Sequence, residues 1–266
     1  MTEYRIPKGV KVVTEDDLPA EDYERIILPE GAVSIEDFSF FGLPTLREVV
    51  FPEGFESIGM SVFDGSAIER VVFPASLKTL GHGAFRGCRK LQSVVFLGEG
   101  PEIIESTTFE DCTSLKTVTF GTGLKVTGSE TMMDYGGAFE GCVSLEEAIL
   151  PEGMVLLGNG TFRGCTSLAR VVLPKSLTAI GERALAETAI RELIVPDGVT
   201  DCFNVAPLCA NLERVVIPCT VRALSLKVFN EPALKEVVLP RKFEEDFELY
   251  FPDDARERMK ITFIDG

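Results

Sequence analysis

Apolar residues recur along the chain in short alternating runs, and most of these runs end at a proline. The run RVVFP ends at Pro74, and RVVLP ends at Pro174. Alternation of apolar and polar positions over four or five residues is typical of a β-strand with one buried face, and the proline that follows predicts a turn. Successive copies are spaced by 22–24 residues, apart from one spacing of 30. A pattern that returns with this period predicts a repeat protein.

Each run is followed by a second apolar pair and then by a phrase of the form A-F-x-G-C. The segment LKTLGHGAFRGC at 77–88 contains both elements. The L-x-x-I-G part predicts a second short strand, and A-F-x-G-C is long enough only for a single helical or 3₁₀ turn. A unit of this size cannot bury its own apolar face. We therefore expect the units to stack as a solenoid, with Leu, Val, Phe and Cys in continuous internal columns.

The complete unit, L-x-x-V-x-F-P-x-G-L-x-x-I-G-x-x-A-F-x-G-C, resembles the BspA-type leucine-rich repeats over roughly Tyr4 to Ile264. The resemblance implies a right-handed superhelix of mainly short parallel strands, which presents a concave sheet to a protein partner. It also implies a non-catalytic module for adhesion at a microbial surface or after secretion. An intracellular scaffold or assembly protein is the alternative, favoured by the unpaired cysteines and by the absence of an export signal from the sequence as given.

The repeats predict one domain over residues 1–266. We expect an N-terminal repeat and cap at 1–24, repeats at 25–240, and a cap at 241–266 that contains two short helices and a final strand. The spacing of 30 comes from seven extra residues at 129–135. Met132, Met133 and Tyr135 would place apolar area on this inserted loop, so contact with a partner or self-association through it is a candidate function. A tolerated surface insertion is the alternative.

The strand pattern also predicts which residues face solvent. In V-x-F the Val and Phe point inward, so the middle residue points outward. This outward column is almost entirely β-branched, which fits either sheet propensity or an apolar protein-binding stripe. The candidate partner-binding residues in the column are Val50, Val72, Val95, Thr119, Ile149, Val172, Ile194 and Val216.

Charges alternate in a second column, two residues before the first. It contains Glu48, Arg70, Glu147, Arg170 and Glu192, with Ser93 and Thr117 as an uncharged interruption. Neighbouring strands lie about 5 Å apart, so each acid is expected to meet a base on the adjacent strands. The column should then be nearly neutral and should favour the correct stacking order.

Composition and the absence of known motifs argue against several classes of partner and of chemistry. A net charge of −16 argues against nucleic acid or an anionic membrane surface as the partner, and no run is apolar enough for membrane insertion. With one histidine and no nucleotide or hydrolase motif, we expect no enzymatic activity, cofactor or metal. Cys88, Cys112, Cys142 and Cys165 share one repeat position; small buried side chains are the simplest interpretation, with disulfides or a metal site as alternatives.

Overall fold

A parallel β-solenoid of about 11 turns forms the molecule, and each turn contributes one strand of three to five residues to the same side. The computed structural model describes residues 2–18, 22–128, 136–224, 231–251 and 254–266. With strands numbered along the chain, the long strands of the described part are β1 (Glu3–Arg5), β3 (Arg25–Ile27), β5 (Glu48–Val50), β7 (Arg70–Phe73), β9 (Ser93–Phe96), β11 (Thr117–Thr119), β13 (Glu147–Ile149), β15 (Arg170–Val172), β17 (Glu192–Ile194), β18 (Arg214–Val216), β19 (Glu236–Pro240) and β20 (Lys260–Ile264). The predicted stack of short parallel strands is confirmed.

Shorter strands form on the adjacent side of the solenoid, where the sequence predicted a second strand in each unit. They are β2 (Val12–Val13), β4 (Ser34–Ile35), β6 (Ser57–Ile58), β8 (Thr79–Leu80), β10 (Ile103–Ile104), β12 (Val126–Thr127), β14 (Leu156–Leu157) and β16 (Ala179–Ile180). These strands pair in parallel as two four-stranded sheets, β2-β4-β6-β8 and β10-β12-β14-β16.

The A-F-x-G-C phrases form the third side of each turn as tight turns of the 3₁₀ type. In one unit, Arg86 N–H donates to Gly83 O at 3.0 Å and Cys88 N–H donates to Phe85 O at 3.2 Å. The same segment is joined to the next unit, because Phe85 N–H donates to Thr108 O at 2.9 Å. These turns therefore satisfy their backbone groups both locally and by stacking.

The phenylalanines of these phrases fill the interior. Ring centroids lie 5.4 Å apart for Phe40 and Phe63, and 4.9 Å apart for Phe63 and Phe85. The column continues through Phe109 and Phe139 to Phe162, with spacings of 5.5, 5.1 and 5.5 Å. All six side chains are fully buried. The predicted internal column of phenylalanine is therefore present.

All seven cysteines are free. Four of them, Cys88, Cys112, Cys142 and Cys165, are fully buried. Each thiol donates to a phenylalanine carbonyl of the preceding unit, as Cys142 Sγ does to Phe109 O at 3.2 Å. Ser66 occupies the same position in another unit, and its hydroxyl lies 3.3 Å from Cys88 Sγ.

The long strands do not pair continuously. They form four separate sheets, β1-β3-β5, β7-β9-β11, β13-β15 and β17-β18-β19-β20. Among the described residues, three gaps therefore interrupt the strand side of the solenoid, between β5 and β7, between β11 and β13, and between β15 and β17.

A shortened turn precedes the first and third gaps. In a regular unit, a turn closes between the Cys position and the next Leu, and Leu91 N–H donates to Cys88 O at 3.0 Å. The corresponding segment is one residue shorter from Ser66 to Ile68 and from Thr188 to Ile190, in the units that lead into β7 and β17. The inserted residues 129–135 lie between β11 and β13. The shortened turn places β7 and β17 out of line with the strands before them.

The C-terminal region replaces the repeat with short helical segments. A 3₁₀ helix at Arg241–Phe243 precedes α1 (Phe247–Tyr250) and α2 (Ala255–Arg258), and the chain then returns to the sheet as β20. Phe243 and Phe247 are buried against the last repeats. The predicted helical cap is confirmed, while the division into 1–24, 25–240 and 241–266 stays a prediction.

Candidate functional site

The outward column of the long strands is the candidate binding surface, hereafter the strand face. Its members point to solvent, as the alternation predicted. Val72, Ile149 and Ile194 are exposed by 40%, 54% and 50%, whereas the inward Val71 is 2% exposed. Thr119 is also exposed, and Val50, Val95, Val172 and Val216 are half-buried by their neighbours in the column.

Charged side chains beside this column pair along each continuous sheet. Arg25 lies 2.7 Å from Glu3 and 2.9 Å from Glu48. In the C-terminal sheet, Arg214 contacts both Glu192 and Glu236. The hydrogen bond that Arg214 donates to the Glu192 carboxylate raises the pKa of Arg214. These pairs neutralise the flank of the strand face.

Within the described residues no ion pair of this column crosses a gap, which corrects the expectation of one continuously paired column. The neighbouring pair of Arg47 and Glu69 does span the gap between β5 and β7. Arg170 pairs with Glu147 inside its sheet, but within the described residues no ion pair joins it to Glu192 across the next gap. Arg70 likewise makes none with Glu48. The residue sequence predicted the alternation but not the loss of contact, because contact depends on whether the strands are hydrogen-bonded.

A second charged column was not predicted from the sequence. It lies one residue earlier in each strand, and its signs are mostly opposite to those of the first column. Arg47 lies 3.9 Å from Glu24 and 3.6 Å from Glu69, and Lys235 lies 3.0 Å from Glu213. The signal was present as dipeptides that swap sign from unit to unit, such as RE at 47–48 and ER at 69–70.

An uncharged window interrupts the first charged column on β9 and β11. Ser93 and Thr117 pair directly in the sheet, next to Val95 and Thr119; in the second column Gln92 replaces a charge, whereas Lys116 beside Thr117 keeps one. Sheets that bear charges lie on both sides of the window. Protein interfaces often have this arrangement, with a core depleted of charge and a charged rim.

Each gap opens a cleft on the strand face. The clefts measure about 600 Å³ between β5 and β7, about 450 Å³ between β11 and β13, and about 510 Å³ between β15 and β17. At the second and third gaps, inward side chains become half-exposed, among them Val118, Phe120, Val171 and Leu173. Their counterpart Val94 in an uninterrupted sheet is fully buried. The gaps thus present core side chains to solvent.

Two other polar residues, His82 and Asn159, have structural partners. His82 Nδ1 lies 3.2 Å from Ser106 O, and its Nε2 lies 3.5 Å from Glu105. Asn159, in a glycosylation-like NGT sequence, accepts a hydrogen bond from Glu182 N–H. In the described part of the chain no cluster of three potential metal ligands occurs, and no helix is long and apolar enough to cross a membrane. Met132, Met133 and Tyr135 lie outside the described residues.

The family model for the BspA type leucine rich repeat region matches six copies over residues 20–135 and 135–251. The chain therefore belongs to this family of repeat proteins, as the resemblance implied. No curated protein sequence matches the chain.

Solved structures of leucine-rich repeat proteins have a similar fold. One from Eubacterium ventriosum is 14% identical with a TM-score of 0.50, and the match covers 100% of this chain and 73% of that one. One from Bacteroides ovatus is 22% identical with a TM-score of 0.44, covering 99% and 84%. A leucine rich cell surface protein from Faecalibacterium prausnitzii is 14% identical with a TM-score of 0.36, covering 81% and 73%.

Proposed function

We propose that this protein binds another protein through the strand face, with the uncharged window on β9 and β11 at the centre of the interface. The supporting observation is the combination of exposed β-branched residues with flanking charges, of which Glu69 pairs with Arg47 and Glu147 pairs with Arg170. An interface core loses less free energy to desolvation where it carries no charge, and the paired charges around it can stay hydrated at the rim. Val95 and Thr119 are the central contacts in this proposal.

The biological setting that best fits the family is the surface of a microbe, where the protein adheres to host or neighbouring cells. A labelled form of the chain should bind intact epithelial or bacterial cells saturably. Val95→Glu introduces a charge into the window and should weaken binding at least tenfold, about 1.4 kcal/mol. Ser57→Glu, on the short strand β6, is the matched control and should bind as the parent does. Equal binding by the two variants would remove the strand face from the proposal.

An intracellular scaffold is the second candidate, and the free cysteines favour it. Seven unpaired thiols in one chain are usual where the compartment is reducing. The sequence of the whole gene discriminates, because an export signal or a wall anchor supports adhesion and a coding region without either supports the scaffold.

We also propose that the inserted loop at 129–135 forms a second contact, to a partner or to another copy of the chain. Deleting the seven residues should leave the melting temperature close to that of the parent, because the repeat continues in register from Gly136. It should also weaken cell binding or reduce self-association measured by analytical ultracentrifugation. Unchanged values in both assays would make the loop a tolerated insertion.

A further inference from the structure

The two ends of the strand side are open edges. Within the described chain, β1 is hydrogen-bonded to β3 alone, and β20 is hydrogen-bonded to β19 alone. An edge strand leaves every second residue with backbone N–H and C=O groups that no neighbouring strand pairs. Because the strands of the solenoid are parallel, the two edges face opposite ways along the stacking axis. A second copy placed end to end would therefore bring its β1 beside β20 in the parallel direction.

The free backbone groups of β1 follow from its pairing with β3. Ile6 N–H donates to Ile27 O at 3.1 Å, which directs Ile6 to β3. Alternate residues of a strand direct their N–H and C=O groups to opposite neighbours. Glu3 and Arg5 therefore direct theirs to the open side, where an added strand would pair with them.

The free backbone groups of β20 complement those of β1. Lys260 N–H donates to Lys235 O at 2.7 Å on the side of β19. Alternation then directs the backbone groups of Ile261 and Phe263 to the open side. In the pattern of a parallel ladder, Arg5 N–H of a second copy would donate to Ile261 O, and Phe263 N–H would donate to Arg5 O. The two edges thus match each other as interior strands do.

The apolar side chains at both edges are incompletely covered. Tyr4 on β1, and Ile261 and Phe263 on β20, occupy inward positions but are half-exposed. The inward Val237 and Leu239 on β19, which has a strand on each side, are 0% exposed. The helical segments of the cap therefore leave the edge of β20 open. A strand added there would bury apolar area from both copies.

The first charged column would continue from one copy into the next. Inside a continuous sheet Arg214 contacts two acids, Glu192 and Glu236. Lys260 at the edge contacts one, Glu236 at 2.9 Å. When the inward residues of the two edges are aligned, the residue opposite Lys260 is Glu3 of the second copy. The open side of Lys260 would then have an acidic neighbour.

A second pair of opposite charges fits the same register. It brings Asp265, which follows β20, beside the exposed Lys8, which follows β1. A shift by two residues would keep the inward residues inward but would place Lys260 opposite Arg5, a like charge. Like charges directly opposite each other destabilise strand pairing. The charges at the two ends therefore favour one register.

We propose that a second copy of the chain binds end to end, with β1 of one copy added to β20 of the other in the register that places Lys260 opposite Glu3. The contact joins two different surfaces, so every bound copy leaves one free edge at each end of the assembly. Such heterologous contacts produce linear chains rather than closed dimers. The strand face would then continue from one copy to the next.

Analytical ultracentrifugation of the full chain tests the proposal. About 0.15 M NaCl is suitable, because a Debye length of about 8 Å screens the net charge of −16 while leaving close ion pairs. We expect the average mass to rise with concentration and to pass that of a dimer. A monomer at millimolar concentration, or an assembly that stops at two copies, would overturn the proposal.

An exchange of charges identifies the two ends. Lys260→Glu places an acid opposite Glu3, and Glu3→Lys places a base opposite Lys260, so each variant alone should associate about fivefold or more weakly than the parent. An equal mixture should associate as the parent does, because each end of one variant meets an opposite charge on the other. No recovery in the mixture, with melting temperatures close to that of the parent, would overturn the proposed register.

Lys78→Glu is the matched control for Lys260→Glu. Both lysines are exposed and contact a glutamate of the preceding unit, Lys78 with Glu56 at 2.7 Å and Lys260 with Glu236 at 2.9 Å. The two substitutions change the net charge equally, but Lys78 lies away from both ends. The control should associate as the parent does. An equal loss in Lys78→Glu and Lys260→Glu would show a general effect of charge and overturn the assignment to the ends.

Two substitutions of Arg5 test strand addition itself. Arg5→Pro removes a backbone N–H that faces the open side, where proline is tolerated in an edge strand. Arg5→Ala removes the same exposed side chain and its pair with Glu3 but keeps the N–H. We expect Arg5→Pro to weaken association about fivefold or more relative to Arg5→Ala. Equal association of the two variants would reject pairing through the backbone of β1.

This contact can be separated from the inserted loop and from the strand face. Deleting residues 129–135 should leave the effects of Lys260→Glu and of the mixture unchanged. Self-association that disappears with the loop and ignores Lys260→Glu would overturn the end-to-end contact. Val95→Glu should leave the self-association unchanged, because β9 lies away from both ends; a loss of association in that variant would assign the contact to the strand face instead.

Discussion

At the irregular units, hydrogen bonding between neighbouring units continues on the turn side of the solenoid and is interrupted on the strand side. Where β5 and β7 separate, the turns stay joined, because Phe63 N–H donates to Ala84 O at 2.8 Å. Phe139 N–H to Thr161 O, also 2.8 Å, does the same at the second gap, and Leu185 N–H to Val205 O, 2.9 Å, at the third. Stacking order is therefore maintained by the interior turns, and the strand side can be interrupted without dividing the molecule.

This difference separates stability from recognition. The turn side contains the buried phenylalanine column and the thiol hydrogen bonds, so a change there disturbs close packing. The strand side places exposed β-branched residues, charges and clefts on the surface, where substitution costs little. A solenoid built in this way can vary its binding face while keeping its core.

The largest expected effect is on the turn side. Phe85→Ala removes a buried ring whose centroid lies 4.9 Å from Phe63 and 5.5 Å from Phe109. We expect a loss of about 3–5 kcal/mol in the free energy of unfolding, measured by denaturant titration. Phe41→Ala is the matched control, since that ring is 55% exposed, and should cost far less. Similar losses would show that the phenylalanine column does not hold the stack together.

The buried thiols give the turn side a dependence on pH. Burial raises the pKa of Cys112 and Cys165 well above the usual value, and that of Cys202 to about 12. The unfolded chain ionises its thiols above about pH 9, while the folded chain keeps them protonated. Stability should therefore be fully present below pH 9 and fall above it, by about 1.4 kcal/mol per pH unit for each such thiol.

Cys165→Ser measures this contribution, because serine keeps a hydroxyl donor at the position and does not ionise. Its free energy of unfolding should fall less steeply with pH than that of the parent between about pH 9 and 11. The two curves should be parallel below pH 8. Parallel curves over the whole range would mean that Cys165 is accessible to water in the folded chain.

Charge reversal on the strand side should have a smaller effect that depends on the gaps. Arg214→Glu places an acid between Glu192 and Glu236, both of which contact Arg214. Arg170→Glu meets one neighbouring acid within its sheet, Glu147. Exposed ion pairs contribute about 0.2–1 kcal/mol each, so the first variant should be the less stable of the two.

The salt dependence of the stability of these two variants checks this prediction. Both losses should shrink between about 0.05 M and 0.5 M NaCl, because exposed charges are screened. Equal losses at low salt would indicate that Arg170 also interacts with Glu192, and hence that the gap between β15 and β17 is closed in solution.

The turn side was predicted well because each repeat position there requires one kind of buried side chain. Phe85, Phe109 and Phe139 recur at the same place, and a buried ring stacked on another accepts few alternatives. The outward direction of Val72 or Ile149 also followed from strand alternation alone. Both inferences depend on local periodicity, which one chain displays many times.

The gaps could not be predicted from spacing. Arg70 follows Glu48 by 22 residues and Arg214 follows Glu192 by the same number, yet only the second pair of strands is hydrogen-bonded. In the first pair the unit is shortened at the turn from Ser66 to Ile68, directly before β7. Counting residues per unit does not register this position, so the pairing of Glu48 with Arg70 and of Arg170 with Glu192 was predicted wrongly.

The smallest expected effect concerns Phe38, whose ring lies in the same turn as Phe40 but is exposed. Phe38 has φ of 60° and is 53% exposed, whereas Phe40 is fully buried. Gly83 and Gly160 occupy the position of Phe38 in other units, with φ of 60° and 59°. A left-handed conformation costs a non-glycine residue about 1–2 kcal/mol, and glycine costs about 0.5–1 kcal/mol more chain entropy on folding. Phe38→Gly should therefore stabilise the protein by about 0.5 kcal/mol in denaturant titration, opposite in sign to Phe85→Ala. A loss above about 1 kcal/mol, the size expected when packed apolar area is removed, would mean that the Phe38 ring packs against the protein.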